Sequence, residues 1–148
     1  MCKGGKLDLD KDINEHLKSW KFPYDSLSKG KKISLANLLS HTAGLSGHGF
    51  PGYEIGDTIP SLIEILNGIP PANSKAIRSE FEPSLKYKYS GGGTTISQLI
   101  VQDVMQQPYH QFMRKTIFDP LGMKTSSYQL FFLFGSAPRQ QEQCPVKQ

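Results

Sequence analysis

Three consecutive glycines, Gly91 to Gly93, follow Tyr89 and Ser90 in the middle of the chain. Glycine has no side chain and adopts left-handed backbone conformations freely, so the run predicts a tight turn close to another segment or a ligand. A ligand at this turn would meet Tyr89 and Ser90 at its edge and bare backbone amides behind them. Apolar residues at helical spacing predict an amphipathic helix over 94–106. Local composition alone favours a plain strand-to-helix connection without chemistry over a ligand site.

The segment 34–45 carries a compact helix signature. Ser34 is a favourable N-cap residue. Three leucines are spaced to form one apolar face: Leu35, Leu38 and Leu39. Gly44 fits the position after a helix C-terminus, which places His41 in the last helical turn. An imidazolium there is stabilised by the helix dipole, so His41 is predicted to pack at the helix end, with a catalytic role as the alternative.

Capping residues and apolar spacing predict three further helices. They cover 13–20, 58–68 and the residues from Pro108 onward. The first is capped by Asp10 or Asp12 and carries three apolar residues at helical spacing: Ile13, Leu17 and Trp20. The glycine-rich stretch 46–57 is typical of a loop, whose aromatic residues could form the wall of a cleft. The stretch 75–89 is typical of short extended pieces.

Composition argues against several classes of function. The net charge is +4, but lysines alternate with acidic residues, which is typical of a solvated surface and not of a nucleic-acid footprint. The cysteines, Cys2 and Cys144, form no CxxC pair, so neither a metal nor a cofactor is expected. We expect no signal peptide and no membrane span, because the most apolar run, 130–135, is too short. Residues 129–148 fit no periodic pattern and predict a disordered tail.

Three stretches together resemble the serine β-lactamase and penicillin-binding-protein-like hydrolases, especially the branch related to class C β-lactamases, D-aminopeptidases and serine esterases. They are 5–10, 38–45 (Leu-Leu-Ser-His-Thr-Ala-Gly-Leu), and 89–93 followed by a helix and by 118–123. Their order and separations agree with the family over residues 4–128. The resemblance implies the α+β fold of β-lactamases and transpeptidases. This chain is expected to hold mostly the α-helical subdomain, with short extended pieces, followed by the divergent tail.

The resemblance also implies site residues. Tyr89 matches the tyrosine that shares proton transfer with the family's lysine, so it is the predicted catalytic residue. Ser90 and Gly91 take the next two positions and are predicted to bind substrate, although Gly91 stands where many members have Asn. A phenol gives up its proton near neutral pH only where neighbouring cations stabilise the phenolate. The implied substrate is a small molecule or peptide: a β-lactam, a D-amino-acid peptide or an ester.

Two further motifs of the family have no counterpart at the expected place. Ser-x-x-Lys occurs at 26–29 and 28–31, but both copies lie in a polar loop and follow 5–10, whereas the family's nucleophile precedes that stretch. No Lys-Thr-Gly or His-x-Gly strand follows Met123. A base acts on a nucleophile only within hydrogen-bond reach. The chain is therefore expected to be a partial serine hydrolase that is inactive alone.

Two alternatives remain open. The first is a non-catalytic domain that binds a partner, or associates with itself, through an exposed apolar face; the run 130–134 motivates it. The second is a gene-model fragment with artefactual ends. Members of the family are often periplasmic or secreted, but we expect no signal peptide in this chain, so no compartment is predicted.

Overall fold

The computed structural model describes residues 7–54 and 56–128. The helices are α1 (Ile13–His16), α2 (Leu35–Leu39), α3 (Leu62–Asn67), α4 (Gly91–Met105) and α5 (Tyr109–Met113). A 3₁₀ turn covers Ser26–Ser28, and a π-helical turn over Arg114–Phe118 continues α5. Within the described residues, isolated antiparallel bridges join Asp12 to Ser34 and Leu45 to Ser79. The predicted dominance of helices, with only short extended pieces, is confirmed.

Helix α4 is the element around which the others pack, because α1, α2, α3 and α5 all contact it. Its buried face carries Ile96, Leu99 and Ile100, at the spacing of one helical stripe. The core around this stripe draws on residues from before, between and within the other helices: Ile13, Leu17, Ile33, Leu38, Leu45, Leu66 and Ile77. Each fully buried aliphatic side chain contributes about 1.5–3 kcal/mol. Apolar burial against α4 therefore holds the short helices in place.

The glycine run forms the first turn of α4, so the predicted start of this helix at Thr94 is three residues late. Gly91, Gly92 and Gly93 all have helical backbone angles and none has a positive φ, so the tight turn predicted for them is wrong. Glycine is needed here for space. A Cβ on Gly92 would lie 2.6 Å from Cδ1 of Ile77, which is fully buried. Close packing, and not turn geometry, explains the absence of a side chain.

Helix α2 begins as predicted, at a capping box in which the hydroxyl of Ser34 accepts the amide of Asn37 and the Asn37 side chain accepts the amide of Ser34. It ends at Leu39, five residues before Gly44, and Leu39 is 61% exposed instead of joining the apolar face. Gly44 has φ +69°, and a Cβ there would lie 2.3 Å from the carbonyl oxygen of Phe81. The close approach of the backbone at Phe81, and not the end of a helix, therefore explains why position 44 is a glycine.

The other helix ends follow local signals. Asp12 caps α1 by accepting the amide of Asn14, which confirms one of the two predicted caps. The helix stops at His16, although the apolar residues predicted to follow, Leu17 and Trp20, are buried. Helix α3 ends at Gly68 as predicted, with φ +62°. It begins at Leu62, four residues later than predicted, because Ser61 forms a capping box with Glu64.

Two further expectations concern a membrane span and the C-terminal residues. Within the described ranges, no helix has both the length and the apolar character that a membrane span requires. The apolar run 130–134 and the tail 129–148 lie outside the described residues. The division of the chain at residue 128 therefore stays a prediction.

Candidate active site

Ser90 fixes the start of α4 and thereby the position of the neighbouring Tyr89. Its backbone is extended, and its hydroxyl accepts the amide of Gly93 at 3.0 Å. The same hydroxyl donates to the carbonyl oxygen of Ser46 at 2.6 Å. Ser90 is 3% exposed, so these hydrogen bonds are made away from water. The structure thus gives Ser90 the role of a buried cap, and its contact with substrate stays a prediction.

The amides in the first turn of α4 already have partners within the chain. The amide of Gly92 donates to the carbonyl oxygen of Gly47 at 2.9 Å, and the amide of Gly93 donates to the Ser90 hydroxyl. The expectation of bare amides behind the tyrosine is therefore wrong for these two residues. A free helix N-terminus binds anions through such amides. Here the loop carbonyl and the cap occupy them instead.

The loop 46–54 lies over the same turn. A Cβ on Gly91 would sit 3.2 Å from the carbonyl oxygen of His48 and 3.5 Å from Cε2 of Phe50. These distances leave little room for a side chain at Gly91, where many relatives of this motif have Asn. The aromatic loop thus contacts the motif directly, and substrate binding at Gly91 stays a prediction.

Tyr89 is the accessible side chain of the motif, 43% exposed beside the buried Ser90. Two imidazole rings flank its phenol. The His41 ring lies 4.6 Å away, centroid to centroid, tilted by 44°. The His48 ring lies 5.1 Å away and meets the phenol edge-on at 67°. The structure therefore brings together three titratable side chains that lie 7 to 48 residues apart in sequence.

His41 does not occupy the last helical turn, so that prediction is wrong. Helix α2 ends at Leu39, and His41 follows with a left-handed φ of +55°. From there its ring reaches Tyr89. The sequence suggested a catalytic role for His41 as an alternative, and His48 was considered only as part of His48-Gly49, which lies in the wrong place for the family's His-x-Gly motif. The one available signal was that both histidines lie close to glycines, in or beside the predicted loop.

The lysines next to Tyr89 in sequence have other partners. The ammonium of Lys88 pairs with the carboxylate of Glu80. The ammonium of Lys86 lies 4.8 Å from the centroid of the Phe81 ring, as a cation–π pair. These contacts engage both charges with groups other than Tyr89. Among the ring contacts of the described residues, the imidazoles of His41 and His48 are the ones made to the phenol.

The two Ser-x-x-Lys copies have the environment of a surface loop. Ser28 is 2% exposed, and its hydroxyl donates to the carbonyl oxygen of Asp25 at 2.7 Å. The side chains of Lys29 and Lys31 are 70% and 58% exposed and both pair with Glu82. Hydrogen bonds from these lysines lower the pKa of Glu82, that from Lys31 most strongly. These lysines are thus surface cations and are not buried beside a serine.

Within the part of the chain that the structure describes, no three His, Cys, Asp or Glu side chains come together as a metal site requires. The two histidines beside Tyr89 supply two imidazoles only. What the arrangement offers chemically is an accessible phenol packed between two imidazole rings.

Comparison with known proteins places the chain in a family. The family model for Beta-lactamase matches residues 2–130. A protein of Salmonella schwarzengrund, provisionally named a D-alanyl-D-alanine carboxypeptidase, is 25% identical over 121 residues, or 81% of this chain. The chain spans only 28% of the length of that relative.

Solved structures show the same fold. A β-lactamase/D-alanine carboxypeptidase from Yersinia pestis matches with a TM-score of 0.60 and 23% identity, over 82% of this chain and 34% of that one. A D-amino acid amidase from Ochrobactrum anthropi matches with a TM-score of 0.60 and 27% identity, over 82% of this chain and 31% of that one. The helices therefore form part of the β-lactamase/transpeptidase fold. With residues 2–130 matched, the chain belongs to the Beta-lactamase family of serine hydrolases, as the sequence predicts.

Proposed function

We propose that this chain supplies the helical subdomain and the proton-transfer tyrosine of a serine hydrolase that cleaves a β-lactam, a D-amino-acid peptide or an ester. The observation that carries the proposal is the exposed phenol of Tyr89 next to the buried cap Ser90. A reacting group must be accessible while its supports are fixed. The names of the relatives, a D-alanine carboxypeptidase and a D-amino acid amidase, support this range of substrates.

In the proposed mechanism Tyr89 relays a proton between the attacking serine and the leaving group. Tyr89 is placed for this because it directly precedes a helix cap that is locked to the loop at Ser46. Ser90 and Gly91 border the substrate through their backbone, since the hydroxyl of Ser90 is already bonded and Gly91 has no side chain. A positioned acid or base of this kind contributes roughly 10²–10⁴-fold to a rate.

We further propose that these 148 residues do not form an acyl-enzyme alone. The serines of the Ser-x-x-Lys copies lack a buried lysine, and the Ser28 hydroxyl is bonded to Asp25. A serine at neutral pH is a weak nucleophile unless a base takes its proton. In this proposal the described residues supply the relay, and the attacking serine comes from outside them.

Turnover and acylation assays test this proposal. The chain is incubated with nitrocefin and a p-nitrophenyl ester, and with a penicillin followed by intact-mass measurement. We expect hydrolysis at the buffer rate and no added mass, and Ser26→Ala and Ser28→Ala should change neither result. Turnover or a penicilloyl adduct that either substitution abolishes would overturn the proposal.

A second candidate function is partner binding, and one surface favours it. Leu39, Leu85 and Tyr87 are each at least 60% exposed. Their segments are joined, since the Ser84 amide donates to the carbonyl oxygen of Thr42 at 2.8 Å. An exposed apolar surface of this kind is typical of an interface. Light scattering after size-exclusion chromatography tests it: a dimer that Leu39→Ser with Leu85→Ser converts to a monomer supports it, and a monomeric parent chain argues against self-association.

A further inference from the structure

His41 makes two hydrogen bonds that bracket Tyr89 along the chain. The amide of Lys88, the residue before Tyr89, donates to the His41 carbonyl oxygen at 2.8 Å. The amide of Ser90, the residue after it, donates to Nδ1 of the His41 ring at 3.4 Å. The ring itself packs against the phenol at 4.6 Å. His41 therefore bonds to the residue on each side of Tyr89 and packs its ring against the phenol.

The backbone of His41 adopts an uncommon conformation to do this. Its φ of +55° lies in the left-handed region, which is unfavourable for a residue other than glycine. Such a residue persists when its surroundings hold it there, and these residues cluster at functional sites. The conformation turns both the carbonyl and the imidazole of His41 towards the segment 88–90.

The hydrogen bond to Nδ1 also determines which tautomer the neutral imidazole of His41 adopts. Because Nδ1 accepts the Ser90 amide, a neutral ring carries its proton on Nε2. A ring protonated on both nitrogens has no acceptor left. The side chain thus contributes an acceptor that an ordinary aromatic residue cannot supply.

We propose that His41 is a positioning residue for Tyr89, holding the backbone at Ser90 through Nδ1 and orienting the phenol by ring contact. The importance of the phenol rests on the proposed function of Tyr89, but the positioning itself does not. The bond between Lys88 and the His41 carbonyl involves backbone atoms only, so it survives substitution of the side chain. Comparing exchange at the Ser90 amide with exchange at the Lys88 amide therefore separates loss of the imidazole from general loss of structure.

Amide hydrogen exchange on the 148-residue chain tests the proposal. His41→Phe keeps a ring and removes the acceptor, whereas His41→Asn removes the ring, keeps an acceptor near the Nδ1 position and tolerates a left-handed φ. We expect the Ser90 amide to exchange at least about tenfold faster in His41→Phe, because that amide loses its hydrogen-bond acceptor. It should stay within about threefold of the parent in His41→Asn, and the Lys88 amide should stay protected in both. Unchanged exchange at Ser90 in His41→Phe would overturn the proposal.

Two spectroscopic measurements complete the test. With 3-fluorotyrosine at all six tyrosines and Tyr89→Phe to assign the signal, the Tyr89 ¹⁹F resonance should move in both His41 variants. A resonance that does not move would contradict the ring contact. The ¹⁵N imidazole spectrum of the parent needs no substitution and should show neutral His41 protonated on Nε2; a proton on Nδ1 would contradict the bond. None of these readouts needs turnover, so their failure is distinct from failure of the proposed function.

Discussion

The side chain of Ile77 lies directly against the bare Cα of Gly92. A Cβ added to Gly92 would sit 2.6 Å from Cδ1 and 2.9 Å from both Cγ atoms of Ile77. Ile77 is fully buried, so a side chain at Gly92 would have to displace it within the core. This contact sets the distance between the first turn of α4 and the segment that precedes the motif. The site geometry around Tyr89 therefore depends on a glycine two residues inside the helix.

Gly92→Ala should destabilise the chain by about 1–3 kcal/mol, the usual cost of overpacking a core. Gly93→Ala is the matched control, because its Cβ would meet Leu38 at an ordinary 3.6 Å. There alanine should be neutral or stabilising by up to about 1 kcal/mol, through its better helix propensity. Urea unfolding measures both free energies. Equal effects of the two substitutions would contradict the role of the Ile77 contact.

Ser90→Ala should cost about 1–2 kcal/mol of unfolding free energy, because it removes the cap of α4. It also leaves the Ser46 carbonyl without the 2.6 Å bond that the hydroxyl donates. Ser61→Ala removes the cap of α3 alone and serves as the comparison. We expect the smaller loss there. A Ser90→Ala loss no larger than that of Ser61→Ala would show that the bond to Ser46 contributes nothing.

The carboxylate of Asp103, on α4, accepts the backbone amides of Lys18 at 2.6 Å and Ser19 at 3.0 Å. This pair of bonds ties the segment after α1 to the central helix. Asp103→Asn weakens both acceptors and should destabilise the chain by about 1–2 kcal/mol. Asp10→Asn, at an exposed position, makes the same change in charge and should have an effect below about 0.5 kcal/mol. Equal melting temperatures of the two variants would show that the two hydrogen bonds to Asp103 do not stabilise the fold.

Tyr24 joins two other segments. Its hydroxyl donates to Oδ1 of Asp12 at 2.7 Å and accepts the amide of Ile33 at 2.9 Å. Tyr24→Phe leaves that amide without a partner and should cost about 1–3 kcal/mol. Chemical denaturation at neutral pH measures the loss. An unchanged midpoint would mean that water replaces the phenol at no cost.

The same residue predicts a pH dependence. Burial, more than any other cause, raises the pKa of the Tyr24 phenol above its ordinary value. The folded state therefore holds this proton more tightly than the unfolded state. The contribution to stability is present below the unfolded pKa, about 10, and is lost as the pH rises above it. Stability measured from pH 8 to 11 should fall less steeply in Tyr24→Phe than in the parent; identical slopes would contradict the assignment.

The sequence correctly predicted those helix ends that are fixed by hydrogen bonds between nearby residues. The caps at Asp12 and Ser34 and the left-handed Gly68 each satisfy backbone groups within a few residues. Gly44 and Gly92 were misinterpreted, because what fixes them is a contact with Phe81 and with Ile77, far along the chain. Helix signatures alone cannot reveal such contacts.

In the candidate site, too, the sequence predicted one residue and missed the contacts made between distant segments. The resemblance to a family singled out Tyr89, and the structure leaves that side chain accessible. It did not predict the two imidazoles, because His41 reaches the phenol only after α2 ends early and its backbone turns left-handed. His48 arrives on a loop that is held by the amide of Gly92. Tertiary contacts assembled this cluster, and no local pattern encodes it.

The role of Tyr89 is tested most directly where a nucleophile is present. We suggest a chimera in which residues 7–128 replace the matching segment of the Ochrobactrum anthropi D-amino acid amidase, which is 27% identical to this chain. Circular dichroism first confirms that the parent chimera and its variants fold alike. Tyr87→Phe is the matched control, because Tyr87 lies two residues away and is 68% exposed.

The deciding measurement is kcat for hydrolysis of a D-amino-acid amide by this chimera and its two tyrosine variants. Loss of a proton-transfer group costs roughly 10²–10⁴-fold. We expect Tyr89→Phe to lower kcat by at least about 10²-fold, while Tyr87→Phe stays within about threefold of the parent. A Tyr89→Phe chimera as active as its parent would contradict the assignment of proton transfer to Tyr89.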